Sequence, residues 1–158
     1  MAEQENKRRT RQGNKAPVDG TYGRLQPQAT EIEKVVLGAL MIDKDAYAVV
    51  CEILRPESFY EPRNQMIFEA IRDLSMDEKP VDVLTVTDQL ARTGKLEDVG
   101  GPVYISELSS RVASSANIGY HARIIAQKSL ARQIISFASV IETKAFDETV
   151  DVDELMQE

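Results

Sequence analysis

The sequence contains no tryptophan, one cysteine (Cys51) and one histidine (His121), and aromatic residues fill only 6% of its 158 positions. Each scarcity excludes something. One cysteine cannot form an internal disulfide or a multi-cysteine zinc site, and a reducing, cytoplasmic setting fits it. Cys51 stands in "YAVVCEIL" and reads as a small core residue. One histidine far from that cysteine leaves little from which to build a metal centre. Ser114 and Ser115 lie near His121 in sequence, but no G-x-S-x-G elbow accompanies them, and a small Ser/His hydrolase is disfavoured. His121 instead reads as a half-buried structural residue in the first turn of a long helix. No apolar run reaches the ~18 residues of a membrane span. The N-terminus lacks the apolar stretch of a secretory signal. With 42% apolar residues and so few rings, aliphatic side chains must fill one core.

Phosphate-binding loops are missing as well. Gly94-Lys95 is followed by Leu96, so the hydroxyl that a Walker loop offers to Mg²⁺ is lacking, and the upstream spacing is wrong. "VGGPVY" has two glycines and no basic residue. Both stretches read as turns. The carboxylates, such as Glu31, Glu33, Asp43 and Asp45, read as capping and surface groups. No catalytic, cofactor or metal residue is assigned in this chain.

The net charge of −7 hides an asymmetry. Residues 1–26 hold six basic groups and three acidic ones, and read as a basic, solvated, disordered tail with little to bury. The remainder holds 13 basic and 23 acidic groups. A body this acidic is a poor partner for nucleic acid, whose affinity comes largely from Lys and Arg at phosphates. That weighs against a stand-alone helical DNA-binding regulator, the main alternative from another class.

What is present is helical periodicity. "TEIEKVVLGALMID" opens with Thr30 and Glu33 at capping-box spacing, and Ile32, Val35, Val36, Ala39 and Leu40 share a face. Asp43 can cap a second helix with Ala46, Tyr47, Val50, Cys51 and Leu54 inward. "RPESFY" breaks the pattern as a turn or single helical turn. A third helix is predicted from Pro62 to Leu74, with Ile67, Phe68, Ile71 and Leu74 inward. Pro80 marks a loop. Asp82 caps a short helix ending at Gly94, and this helix-plus-loop reading of "VDVLTV" is preferred to a strand. Pro102 suits the first turn of another helix, through Leu108.

Asn117 is a candidate cap for the longest element, Ile118 to about Ala145, roughly 42 Å at 1.5 Å per residue. Ile124, Ala131, Ile134, Ala138 and Ile141 form one stripe along it, widened by Leu130 and Phe137. A domain this small cannot cover such a helix, so its distal half should project or find a partner. Asp151 and Glu154 look like a new cap before "ELMQE", the start of a return helix cut short. The expectation is an all-α fold in three parts. Residues 1–26 are the tail and residues 27–116 a compact helical bundle. Residues 117–158 are a projecting, truncated antiparallel hairpin. Leu130, Ile134, Phe137 and Ile141 are the candidate surface for self-association or a partner.

The segments "EKVVLGALMID", "FYEPRNQMIFEAIRDL", "PVDVLTVTDQL", "GKLEDVGGPVYISEL" and "SSANIGYHARIIAQKSLARQII" occur in this order and spacing. Together they resemble the N-terminal domain of bacterial hexameric replicative DNA helicases of the DnaB type, over about residues 27–158. Ala113, His121 and Asn64 depart from the Pro, Tyr and His common there. A Tyr could not do the chemistry of a catalytic His121. The resemblance implies a scaffold whose hairpins pair and build the collar of a hexamer, with docking surfaces for primase and loader proteins. It places ATP, Mg²⁺ and DNA in a motor domain that follows in the parent ATP-dependent helicase. This chain alone is expected to form a dimer at most.

Overall fold

The computed structural model describes residues 24–112 and 114–157. The basic segment 1–23, where the sequence predicts a tail, lies outside the described residues. Among the described residues seven α-helices follow in order: α1 Thr30–Ile42, α2 Ala46–Val50, α3 Pro62–Met76, α4 Val83–Arg92, α5 Gly101–Ser110, α6 Ile118–Ala145 and α7 Val152–Leu155. A 3₁₀ turn, Pro56–Ser58, separates α2 from α3. Among the described residues there is no strand. "VDVLTV" is loop and helix: Asp82 Oδ1 accepts from Thr85 N at 2.9 Å, and Thr85 Oγ1 accepts from Asp82 N at 2.9 Å. This reciprocal cap starts α4 where the sequence places it. At the other end of α4, Gly94 takes a left-handed φ of 72°.

Helix α1 is the hub and touches α2, α3, α5 and α6. Val36, Leu37 and Leu40 are fully buried there, against Ile67, Phe68 and Ile71 of α3, Leu90 of α4, and Ile105 and Leu108 of α5. The rings of Phe59 and Phe68 meet at 4.9 Å. Helices α1 and α5 approach closely because Gly38 has no side chain. A Cβ there would lie 2.1 Å from the Leu108 carbonyl oxygen and 2.6 Å from Val112.

The first third of α6 belongs to this core. Ile118, Ala122 and Ile125 are buried in it, so the apolar interior continues past residue 116 into the long helix. Arg132, further along α6, donates to the Pro27 and Ser58 carbonyl oxygens, each at 2.8 Å, and its guanidinium lies 5.5 Å from the Tyr60 ring. It fastens the first described residues to the middle of α6.

Three expected local features differ. Glu33 does not close a capping box with Thr30. The N-cap of α1 is Ala29, with no side-chain bond, and Glu33 is 1% exposed. Its Oε1 accepts from Tyr60 N at 2.6 Å, and its Oε2 from Asn64 Nδ2 at 2.9 Å and Glu61 N at 3.4 Å. Unpaired N–H groups at the start of α3 win the carboxylate, because burial makes leaving them unpaired costly and the helix dipole favours an anion there. Asn117 holds the cap position of α6 without a side-chain bond. The neighbouring turn is closed instead by Ser114 Oγ, which accepts from Ala116 N at 3.1 Å. Cys51 is half-buried, with its thiol donating to the Ala48 carbonyl at 3.4 Å, because α2 ends one residue earlier.

Candidate assembly surface

The distal half of α6 has little beneath it. Its core-facing line is Ile118, Ala122, Ile125, Ser129 and Arg132, spaced four, three, four and three residues apart. Leu130, Ile134, Phe137 and Ile141 repeat with the same spacing, but roughly 120° around the helix at 3.6 residues per turn. They therefore form a second line, and three of them stand open: Leu130 is 56% exposed, Ile134 59% and Phe137 55%. Ile141 is half-buried, near the level where α7 returns against α6.

The return is organised by two aspartates. Asp147 Oδ1 accepts from Thr149 N at 2.9 Å and Thr149 Oγ1 at 2.7 Å, and these bonds hold its pKa below the usual carboxylate value. Asp151 Oδ1 accepts from Asp153 N at 2.8 Å at the start of α7. Phe146 and Val152, on either side of the turn, are exposed. Leu130, Ile134, Phe137, Phe146 and Val152 thus leave five large apolar side chains open to solvent along the distal half of α6 and its turn.

The residues considered for chemistry are held elsewhere. Ser115 Oγ donates to Asp43 Oδ2, while Asp43 Oδ1 accepts from Asp45 N at 3.0 Å. The Ser115 hydroxyl first, then this backbone bond, holds the Asp43 pKa below the usual aspartate value. His121 is half-buried beside the Tyr120 ring, centroids 6.2 Å apart. Both serine hydroxyls are thus used to shape the α5–α6 connection. Gly100 and Gly101 make the left-handed turn into α5, with φ of 99° and 70°. Among the described residues no cluster of His, Cys, Asp and Glu could hold a metal ion, and no helix is long and apolar enough to cross a membrane.

One arrangement was not visible in the sequence. Asn64 is fully buried between Glu33 and Tyr104, and its Oδ1 accepts from the Tyr104 hydroxyl at 2.9 Å. The Arg63 guanidinium lies 4.1 Å from the Tyr104 ring centroid. Burial raises the Tyr104 pKa, and nearby Arg63 opposes it. This chain of polar groups ties α1, α3 and α5 together and is structural in its chemistry. Neither helical period nor motif could have paired residues so far apart in sequence.

The comparisons agree with this architecture. A family model described as DnaB-like helicase N terminal domain matches residues 25–127. The chain is 49% identical over 136 residues to the replicative DNA helicase DnaB of Rhodothermus marinus, a match covering 86% of this chain and 14% of that protein. The crystal structure of the N-terminal domain of DnaB helicase from Mycobacterium tuberculosis superposes with a TM-score of 0.80 at 38% identity, covering 84% of this chain and 94% of that one. A structure of a DnaB-like replicative helicase, described with its interactions with primase, gives a TM-score of 0.68 at 26% identity, over 82% of this chain and 30% of that one. The chain spans less than a third of the length of the curated relatives it matches. On the family match, the identity and the shared helical fold together, the chain belongs to the DnaB-like helicase N-terminal domain family.

Proposed function

We propose that this chain is the scaffold end of an ATP-dependent replicative DNA helicase. It pairs with copies of itself to build the collar of a hexamer, and it docks primase during replication in the cytoplasm, with loader proteins as further partners. ATP, Mg²⁺ and DNA are handled by a motor domain in the parent. The observation that carries this reading is the second apolar line of α6, which serves neither the core nor any chemistry in the chain. The family membership supports the collar, and the primase interactions described for a related structure support docking.

Within this reading Leu130, Ile134, Phe137 and Ile141 face a second copy. Light scattering after gel filtration tests it. The chain should move from monomer to dimer as concentration rises, and Phe137→Asp should leave it monomeric with unchanged helicity, because that ring is 55% exposed and outside the core. A variant that stays dimeric, or one that loses helicity, would overturn the assignment of the surface.

A further inference from the structure

A second open surface lies at the opposite end of α6 from the hairpin turn. Two adjoining depressions, of about 650 and 500 Å³, share Asp43, Asp45 and Ser115 where the α1–α2 corner meets the start of α6. Ile42, Val49 and Tyr120 stand exposed on or in their walls. Asp82 adds a third carboxylate, and Lys44 is the one basic lining residue. The surface is thus a groove of mixed polarity and negative balance, with the exposed Tyr120 ring at its edge.

The sequence contains a segment of opposite character. Residues 7–15, "KRRTRQGNK", hold five basic groups and no acidic one, and they lie outside the described residues. The chain enters the described structure beside Arg132, whose guanidinium holds the Pro27 carbonyl. Tyr120 is twelve residues back along α6, about 18 Å away at 1.5 Å per residue. Arg11 is sixteen residues before Pro27. Arg24, the first described residue, is thirteen residues after Arg11, and thirteen residues span up to ~43 Å when extended. The groove lies within that span, so a segment tethered there meets it at a raised local concentration.

We infer that the basic N-terminal segment, centred on Lys7–Arg11, docks in the acidic groove formed by Asp43, Asp45, Asp82 and Tyr120. Arginine guanidinium groups stack on the Tyr120 ring and pair with the carboxylates at its rim. Docking covers Ile42 and Val49 with the aliphatic stems of the same side chains. It also makes the segment's cations unavailable to phosphate at low salt and releases them as salt rises, because exposed ion pairs are screened. This inference does not depend on the hairpin surface or on the identity of any partner.

Amide NMR spectra of the full chain test it, at concentrations where it is monomeric. Arg8→Glu, Arg9→Glu and Arg11→Glu together lie outside the core and should leave the helices intact. They should shift amides of residues 42–46 and 115–120, and 0.5 M NaCl on the unsubstituted chain should reproduce those shifts. A nitroxide on Arg9→Cys in a Cys51→Ala background should broaden the same amides at least severalfold more than the rest, and Tyr120→Ala with Asp45→Asn should remove most of that broadening. Shifts or broadening spread evenly over the surface, centred on the acidic 147–153 turn, or present only after adding a single-stranded oligonucleotide would overturn the inference.

Discussion

Replacing Glu33 with alanine should be among the most damaging single changes to this fold, although no ligand or partner is involved. The side chain is 1% exposed, and its two oxygens accept from Tyr60 N, Asn64 Nδ2 and Glu61 N. The first two bonds are short and the third, at 3.4 Å, is weak. A buried donor left without an acceptor costs about 1–3 kcal/mol. Two strong donors and one weak one, reduced by any water that enters the space, give about 3–5 kcal/mol. Domains of this kind are stable by about 5–15 kcal/mol in total. Urea denaturation followed by circular dichroism would read the loss as a midpoint lower by ~2 M, for a slope of about 2 kcal/mol per molar. Glu33→Gln keeps one acceptor but turns an amide donor toward another N–H, so it should cost less, about 1.5–3 kcal/mol. Tyr104→Phe removes only the bond to Asn64 Oδ1 and should cost about 1 kcal/mol. If Glu33→Ala lost under ~1 kcal/mol with an unchanged slope, the carboxylate would not be holding the start of α3, and the reasoning would fail.

Three further outcomes are expected. Gly38→Ala forces a methyl to within 2.1 Å of the Leu108 carbonyl oxygen, so α1 and α5 must separate; a loss of about 2–4 kcal/mol in thermal or urea unfolding is expected, and near-neutrality would show that the helices slide apart freely. Asp82→Ala removes the acceptor for Thr85 N and should cost about 1 kcal/mol, whereas Asp82→Asn should recover most of it. The Asp43, Glu31, Glu69 and Asp77 pKa values are all lowered by their hydrogen-bond partners, so these groups favour folding above the unfolded carboxylate range and lose that contribution as pH falls through their folded values. The unfolding midpoint should therefore drop below about pH 4, and Ser115→Ala should flatten the Asp43 share of that drop, read by carboxyl NMR titration.

Much of the fold was legible because each helix carries its own punctuation. Pro62 and Pro102 open α3 and α5, Asp82 opens α4, and Gly94 closes it. Period alone located the inward face of α3, whereas on α1 it counted half-buried Val35 inward and missed Leu37, which is fully buried. It could also mark the apolar line of Leu130, Ile134 and Phe137, but it joined that line to Ile124, which is half-buried near the body. A helix with two apolar lines 120° apart yields a broad, blurred stripe in one dimension, and only packing separates them. Glu33 misled for a related reason. Its spacing from Thr30 suits a local cap, but the stronger demand came from donors more than 25 residues away. Mid-helix Gly38 carried a readable hint, since glycine inside a helix often marks close backbone approach. The resemblance gave the family, whereas the groove at Asp43 and Tyr120 required the corner between α1, α2 and α6 to be assembled first.

Helix α6 also has a mechanical consequence. From Tyr120 to Ala145 it contains neither glycine nor proline, and it is a single helix from the buried Ile118 to the turn at Phe146. A sideways force on the hairpin end therefore acts on a lever whose short arm is clamped by Ile118, Ala122 and Ile125, and by the grip of Arg132 on Pro27 and Ser58. The lever has no joint along its length at which to yield. Compliance must come from its root, where residues 114–117 are non-helical and the Ser115–Asp43 contact acts as a latch. Strain arriving from a neighbouring molecule at the hairpin would be felt first at that latch, nearly the full length of the helix away.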